Sequence, residues 1–328
     1  MSDDTTAAHA PSVRVGRGHL PRRRGRSKVW YRREMSAGTF AFVLNIPTLL
    51  CLGLVLVYPV VYAAYLSVHK VGLAQLRRGD FLFTGWENYG RVFEDTLFWT
   101  ALKNTLIFTA LTVTSEVVLA IAIALLINQT GIWTSRVTRF LILLPYAIPP
   151  IANGLIWSFL YSFQFGFLNR ILFTLGLIND PVNWAGNPDT ALYAVSVPYI
   201  WRTLPFAIIL VHAALQGIPR ELYEQAAIDG ANAWHRFRQI TLPMLRQIIA
   251  IILILRTAFA FTVFEEILAI TQGGPGDATW VAAWYSYKIT FAPPNNFGMG
   301  SASAYVLAAM IGVMAWVYMR FVFKRVTL

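Results

Sequence analysis

The stretch Pro219-Arg-Glu-Leu-Tyr-Glu-Gln-Ala-Ala-Ile-Asp-Gly-Ala231, continuing through Trp234 to Pro243, decides how the chain is organised. It reads as two short helices joined by a turn. Pro219 suits a first helical turn, where a missing N–H costs little, and Glu221 and Glu224 lie near that helix's positive end. Gly230 supplies the left-handed conformation that closes the helix, and Asn232 stands where it can cap the next one. Leu222 and Ala226 are four residues apart, as are Tyr223 and Ala227, so a stripe of small side chains lets another backbone come close. Pro243 then opens a long apolar run.

Apolar runs flank this hairpin on both sides. A helix needs about 20 mostly apolar residues to cross a hydrocarbon core of about 30 Å. Six windows qualify, with spans expected at about 40–62, 104–127, 140–162, 191–213, 247–270 and 301–319. Charges inside them are few: Glu116 in the second, Arg202 in the fourth, and Arg256, Glu265 and Glu266 in the fifth. Only 13% of the 328 residues are charged and 56% are hydrophobic, against roughly 25% charged in a soluble domain. So few charges cannot cover a water-facing surface, and the class is an all-α integral membrane protein. Cys51 stands alone, which excludes an intrachain disulfide and a cysteine-built metal cage. The five histidines are scattered without ligand spacing, so no metal site is expected.

Lys and Arg set the orientation, because cytoplasmic flanks retain them. With the N-terminus inside, the inner segments hold 18 of these residues and the outer ones 7, which places both termini in the cytoplasm. Residues 1–36 form a basic arm containing Arg22-Arg23-Arg24-Gly25-Arg26, expected to be disordered and to lie near anionic membrane lipid. The uncharged run after it is too long for a signal-peptide core, so it reads as a retained first span beginning the membrane domain, 37–328. The basic run has no interleaved aromatics, and no nucleic-acid partner is expected.

The hairpin, residues 217–246, resembles the EAA loop of ABC-importer permeases: E-A-A-x-x-x-G, nine residues, then I-x-L-P. Glu224, Ala226, Gly230, Ile240, Leu242 and Pro243 match at both intervals, and Gln225 replaces the first alanine. Asp229-Gly230-Ala231 meets the fuller form typical of carbohydrate permeases. Gly85-Trp-Glu-Asn88-Tyr89, Asn104-Thr105, Leu144 to Pro149, Trp201, Pro205 and Thr271 to Pro275 are similar to segments of the maltose and glycerol-phosphate type permeases. The resemblance implies a six-span, type I ABC-importer permease fold. It also implies a second homologous permease subunit, two cytoplasmic ATPase subunits docked on the EAA loops, and an external solute-binding protein or lipoprotein. ATP and Mg would sit on the ATPase subunits, with no cofactor in this chain. No G-x-x-x-x-G-K-[ST] phosphate loop occurs in the sequence, as a separate permease requires. The implied contacts with the ATPase are Glu224, Gln225, Ala226, Asp229, Gly230, Ile240, Leu242 and Pro243.

Charges within a bilayer are costly and face a bundle interior or a cavity. Ion pairs between spans are the simple account of Glu116 and Arg202. Arg256 shares a helical face with Ala260 and Val263, where small side chains leave room for a solute. By resemblance to sugar permeases, the substrate path takes Tyr146 and Pro150, then Arg202, Thr203 and Phe206, then Arg256, Ala260 and Val263. Aromatic faces suit sugar C–H surfaces, and donors suit hydroxyls. The Gly-rich loop Thr271 to Thr279 implies binding-protein docking at Gly273, Gly274 and Pro275. The aromatic segment Trp280 to Phe297 is expected along the outer interface, and Leu168 to Ile178 as a similar surface helix. A disaccharide such as trehalose or maltose is the first substrate expectation and glycerol-phosphate the second. A proton-coupled transporter using Glu116 or Glu265 is the rival class, but it would show an internal repeat that the EAA segment lacks.

Overall fold

A computed structural model describes residues 36–130 and 136–323. The expected basic arm, apart from Ser36, lies outside the described residues, as do residues 131–135 and 324–328. Contacts divide the chain into two units, one ending at Leu54 and one beginning at Val55. In the first, Ser36 caps α1 (Ala37–Leu52) by accepting the Thr39 N–H at 3.2 Å. None of its described residues is buried, and Phe40, Leu44 and Leu50 are widely exposed. A helix apolar on all sides, with none of its described residues buried, needs lipid or protein around it.

The second unit begins with α2 (Tyr58–Ser67), β1 (His69–Lys70), α3 (Leu73–Arg78), β2 (Leu82–Phe83), α4 (Glu87–Glu94) and α5 (Thr96–Thr130). It continues with α6 (Arg136–Leu143), α7 (Pro150–Leu160), α8 (Phe167–Thr174), α9 (Pro188–Gln216), α10 (Arg220–Ile228) and α11 (Ala233–Arg236). The last elements are α12 (Leu242–Phe261), α13 (Glu265–Ile270), α14 (Ala282–Phe291) and α15 (Phe297–Phe323). β1 and β2 pair antiparallel, His69 opposite Phe83. Among the described residues, five helices are long and apolar enough to cross a membrane, and a bent pair makes a sixth if it is one span.

That bent pair corrects the straight span expected over 140–162. Helix α6 runs into a 3-10 turn at Leu144–Ala147, and α7 leaves at 102°. Pro145, Pro149 and Pro150 remove three N–H donors, and a residue before proline is pushed into extended backbone, as Ile148 (ψ 126°) and Pro149 (ψ 143°) are. The expected span 247–270 is corrected too. The continuous helical stretch is Ala233–Phe261, and it passes through a π turn at Phe237–Thr241, where the Pro243 ring crowds the carbonyl four residues back. At its C-terminal end Thr262 Oγ1 donates to the Ala258 and Phe259 carbonyls, competing with the helical ladder. A fresh helix, α13, starts with Glu265 and Glu266 in its first turn, where acidic groups complement the dipole.

Helices α5 and α9 lie along each other, with α12 packed against both. Ala120, Ala124 and Ala207 are fully buried and share one cluster with Val211, Leu215, Leu245 and Ile252. Small residues at such crossings bring backbones close, which is how membrane helices gain packing energy when lipid is as apolar as leucine. The α2–β1 and α13–α14 connections are held by side-chain amides. Asn88 Nδ2 donates to the Ser67 and His69 carbonyls at 2.8 and 2.9 Å. Asn104 Nδ2 lies 3.0 to 3.2 Å from the carbonyls of Asp277, Ala278 and Trp280, and Thr105 Oγ1 accepts the Ala282 N–H at 2.8 Å.

Helix α14, in the segment Trp280 to Phe297 expected along the outer interface, buries one face in the protein and leaves Tyr287 and Phe291 exposed on the other. Trp284 and Tyr285 are buried, and α14 packs on α5 and α15. The Tyr285 hydroxyl donates to Asp95 Oδ2 at 2.8 Å, so its polar end needs no water, and burial beside that carboxylate pushes the phenol pKa upward. The surface helix expected at 168–178 appears as α8, with Phe167 and Phe173 exposed.

Helices α14 and α15 touch at Gly300, where an added Cβ would fall 1.8 Å from Thr290 Oγ1. Gly300→Ala should therefore cost about 1–3 kcal/mol by overpacking. Gly312→Ala, on the same helix with nothing within 4 Å, should be neutral or gain up to about 1 kcal/mol of helix propensity. Thermal unfolding of the purified chain in detergent checks the contrast, and equal Tm values for the two variants would contradict it.

Candidate functional site

A cavity of about 510 Å³ opens where the α6–α7 elbow meets α9, α12 and the start of α13. Tyr146, Pro150, Arg202, Thr203, Arg256 and Val263, all expected on the substrate path, line it. The other two do not. Ala260 is enclosed in a core cluster with Phe108 and Tyr199, and Phe206 stacks on Tyr146 from outside the lining, with centroids 5.9 Å apart. The elbow brings Tyr146 to the cavity, because the prolines that break the helix also turn its backbone toward α9. On α9, residues 199, 202, 203 and 206 recur at helical spacing and so share one face.

Charge is handled in two layers. In the deeper one, Arg256 Nε donates to Glu116 Oε2 at 2.5 Å and Nη2 to Oε1 at 3.0 Å. The Glu116 side chain has 0% exposure. The Thr203 hydroxyl stands between Glu116 Oε1 and the Tyr199 carbonyl, one proton facing two acceptors. This cluster joins α5, α9 and α12. In the shallower layer, Arg202 Nε and Nη2 both donate to Glu266 Oε1 at 3.0 and 2.9 Å, joining α9 to α13. Arg202 is 15% exposed and Glu266 1%. Both guanidinium carbons lie 5.8 Å from the Tyr199 ring centroid, which stabilises the cations further. Glu265, exposed on the same wall, has no counter-ion among the described residues.

Tyr199, Phe259, Thr262, Glu265 and Glu266 also line the cavity but were missing from the expected path. Tyr199 is three residues before Arg202, and Phe259 three after Arg256, so helical spacing from those arginines carried the signal. The break at Thr262 hid the other three, because a straight fifth span puts them on different faces. The wall offers aromatic surface, hydroxyls and a free carboxylate. Among the described residues, no three His, Cys, Asp or Glu side chains are grouped to hold a metal.

On the opposite side of the bundle, α10 and α11 form the hairpin. Gly230 closes α10 at φ 79°, and Asn232 Oδ1 accepts the His235 N–H at 2.9 Å. Leu222, Tyr223 and Ile240 turn inward onto the α5–α9–α12 cluster, and Tyr223 Oη meets Thr241 Oγ1 at 2.9 Å. Glu224, Gln225, Asp229, Gly230, Leu242 and Pro243 are exposed, Ala226 is half-buried, and Ile228 stands 85% exposed beside them. In the loop after α13, Gly273 is buried at φ 90°, where a Cβ would meet Trp284 Nε1 at 2.3 Å. Gly274 and Pro275 are partly covered, so the loop presents mainly Gln272, Gly276 and Asp277 to the outside.

Glu116→Ala should leave the Arg256 guanidinium buried without its carboxylate, a loss of about 3–5 kcal/mol. Glu116→Leu combined with Arg256→Met should recover most of it. Folded yield and Tm in detergent read this out, and a single variant as stable as the parent would show that the pair holds nothing.

Residues 116–326 match the family described as binding-protein-dependent transport system inner membrane component. The trehalose/maltose transport system permease protein MalF of Thermococcus litoralis is 33% identical, over 90% of this chain and 96% of its own length. The sulfoquinovosyl glycerol transport system permease protein SmoG of Agrobacterium fabrum is 34% identical, over 94% and 97%. A crystal structure of a bacterial ABC transporter that imports the acidic polysaccharide alginate superposes with a TM-score of 0.75 at 22% identity, over 90% of this chain and 99% of that one. The fold is thus that of a type I ABC-importer permease. The chain belongs to the binding-protein-dependent inner membrane component family, as a non-catalytic permease subunit whose ATPase is a separate chain.

Proposed function

We propose that this chain is one of two similar permease subunits of an ATP-driven carbohydrate importer in the cell membrane. In this reading it crosses six times, with both termini cytoplasmic. An external solute-binding protein delivers the sugar, and two cytoplasmic ATPase subunits, which hold ATP and Mg, dock on the α10–α11 hairpins of the two permeases. One observation carries the reading: the hairpin is the covalent link between α9 and α12, and the middle of α9 and the far end of α12 line the cavity. A push on the hairpin is a push on the cavity wall.

An uncharged disaccharide such as trehalose or maltose is favoured over glycerol-phosphate. The trehalose/maltose permease among its relatives supports this, and so does the wall itself. Arg202 and Arg256 are each occupied by a carboxylate, and Glu265 adds a negative charge with no counter-ion. Nothing there is free to greet an anion. The proton-coupled alternative through Glu116 finds less support, since Glu116 is held by Arg256 and Thr203 rather than available as a relay.

Uptake of labelled trehalose, maltose and glycerol-phosphate by a strain lacking this chain, with and without its restoration, tests the ranking. A neutral disaccharide should depend on the chain, and dependence of glycerol-phosphate alone would reverse the order. Gly230→Val forces a branched side chain into left-handed backbone at a cost of about 1–2 kcal/mol and should misalign the hairpin. Uptake should fall roughly tenfold or more while ATP hydrolysis persists, a factor reached by misplacing about 1.4 kcal/mol of coupling. Undiminished uptake in that variant, or in Glu224→Ala, would argue against docking there.

A further inference from the structure

A second cavity, of about 1380 Å³, lies away from the α6–α7 elbow. It lies between the hairpin and the neighbouring halves of α5 and α9. Its wall on α5 runs from Val118 through Ile121, Ala122 and Leu125 to Asn128. Ten residues of helix span about 15 Å, half of a hydrocarbon core of about 30 Å. The slot is therefore one leaflet deep.

Its chemistry changes along that depth. The α5 wall is apolar until Asn128, while α9 contributes His212 and, one turn nearer the hairpin, Gln216, after which Arg220 and Arg236 of the hairpin take over. Two cations line the shallow end, and no Asp or Glu lines any of it. Arg236 Nε is enclosed without a hydrogen-bond partner among the described residues. Trp234, 66% exposed on the same wall, is the side chain that favours the membrane–water boundary.

We propose that this cavity binds an anionic phospholipid of the cytoplasmic leaflet, its phosphate held by Arg220 and Arg236 and an acyl chain lying along α5. The depth fits one leaflet, and the gradient toward two arginines fits one amphiphile. A basic segment such as the N-terminal arm is repelled by the same arginines, and a free anion leaves the apolar 15 Å without an occupant. The assignment requires the hairpin to face the cytoplasm, as in the function proposed above, but not that the cargo be a sugar. A lipid there would brace the hairpin against α5 and make coupling sensitive to membrane composition.

The test uses the assembled importer in nanodiscs of phosphatidylcholine doped with brominated phosphatidylglycerol or brominated phosphatidylcholine. The reporter is the fluorescence of Trp234, taken as the difference between the parent and Trp234→Phe. Quenching should favour brominated phosphatidylglycerol roughly 10- to 30-fold in apparent affinity, the factor given by about 1 kcal/mol per arginine. Arg220→Gln with Arg236→Gln should abolish the preference. Arg220→Lys with Arg236→Lys should keep it, and Arg238→Gln, an exposed position outside the cavity, should leave it unchanged. Equal quenching by both lipids would overturn the assignment. So would displacement of the brominated lipid by millimolar inorganic phosphate, which would mark a free-anion site, or Trp234 inaccessible to either lipid because an ATPase subunit covers it.

Discussion

A guanidinium and a carboxylate share a buried site between three long apolar helices, and the arrangement of those helices follows from that. Neither charge can stay there alone, because the desolvation cost of each is met only by the other. Glu116 comes from α5, Arg256 from α12 and the supporting Thr203 from α9, so the three helices are fixed in register at one depth. The alanines of the α5–α9 crossing set how close the helices come. The charges set which turn meets which.

The second pair acts at the edge of the same site. Arg202 reaches across to Glu266, at the start of the short helix that follows the break in the fifth span. The break is therefore part of the cavity: it turns Glu265 and Glu266 to the wall and leaves Thr262 and Val263 facing the opening. Opposite them, the prolines of the elbow deliver Tyr146. Two departures from straight helix, one driven by proline and one by a threonine–carboxylate boundary, make the space between otherwise close-packed rods.

The sequence was most legible where local chemistry decides. The Gly230 turn, the Asn232 cap and the membrane class follow from single residues or from apolar run length, and the resemblance carried by Glu224 to Pro243 led to the right family. It was least legible where one residue's role depends on a distant one. Arg256 read as a solute-facing candidate because its own face is small, and what the sequence hides is that its length also lets it reach back to Glu116, 140 positions away. Trp284 and Tyr285 read as belt aromatics because composition does not reveal that Asp95 waits for the tyrosine hydroxyl. The elbow at 144–150 was visible as prolines, yet in an uncharged window they did not outweigh hydropathy. Asn88 and Asn104 stood in the resembling segments, and only the fold showed each amide gathering carbonyls that chain ends leave unpaired.

Function then rests on whether the hairpin and the cavity wall move as one body. Spin labels at residue 225 on the hairpin and residue 259 on the wall, in a Cys51→Ser background, measure this by pulsed electron resonance in the assembled importer. Rigid transmission predicts the same distance distribution with and without a non-hydrolysed ATP analogue, while other distances across the complex change. A shift in this distance on nucleotide binding would mean that the hairpin yields before it moves α12, contradicting the coupling of ATPase to cavity through the clamped helices.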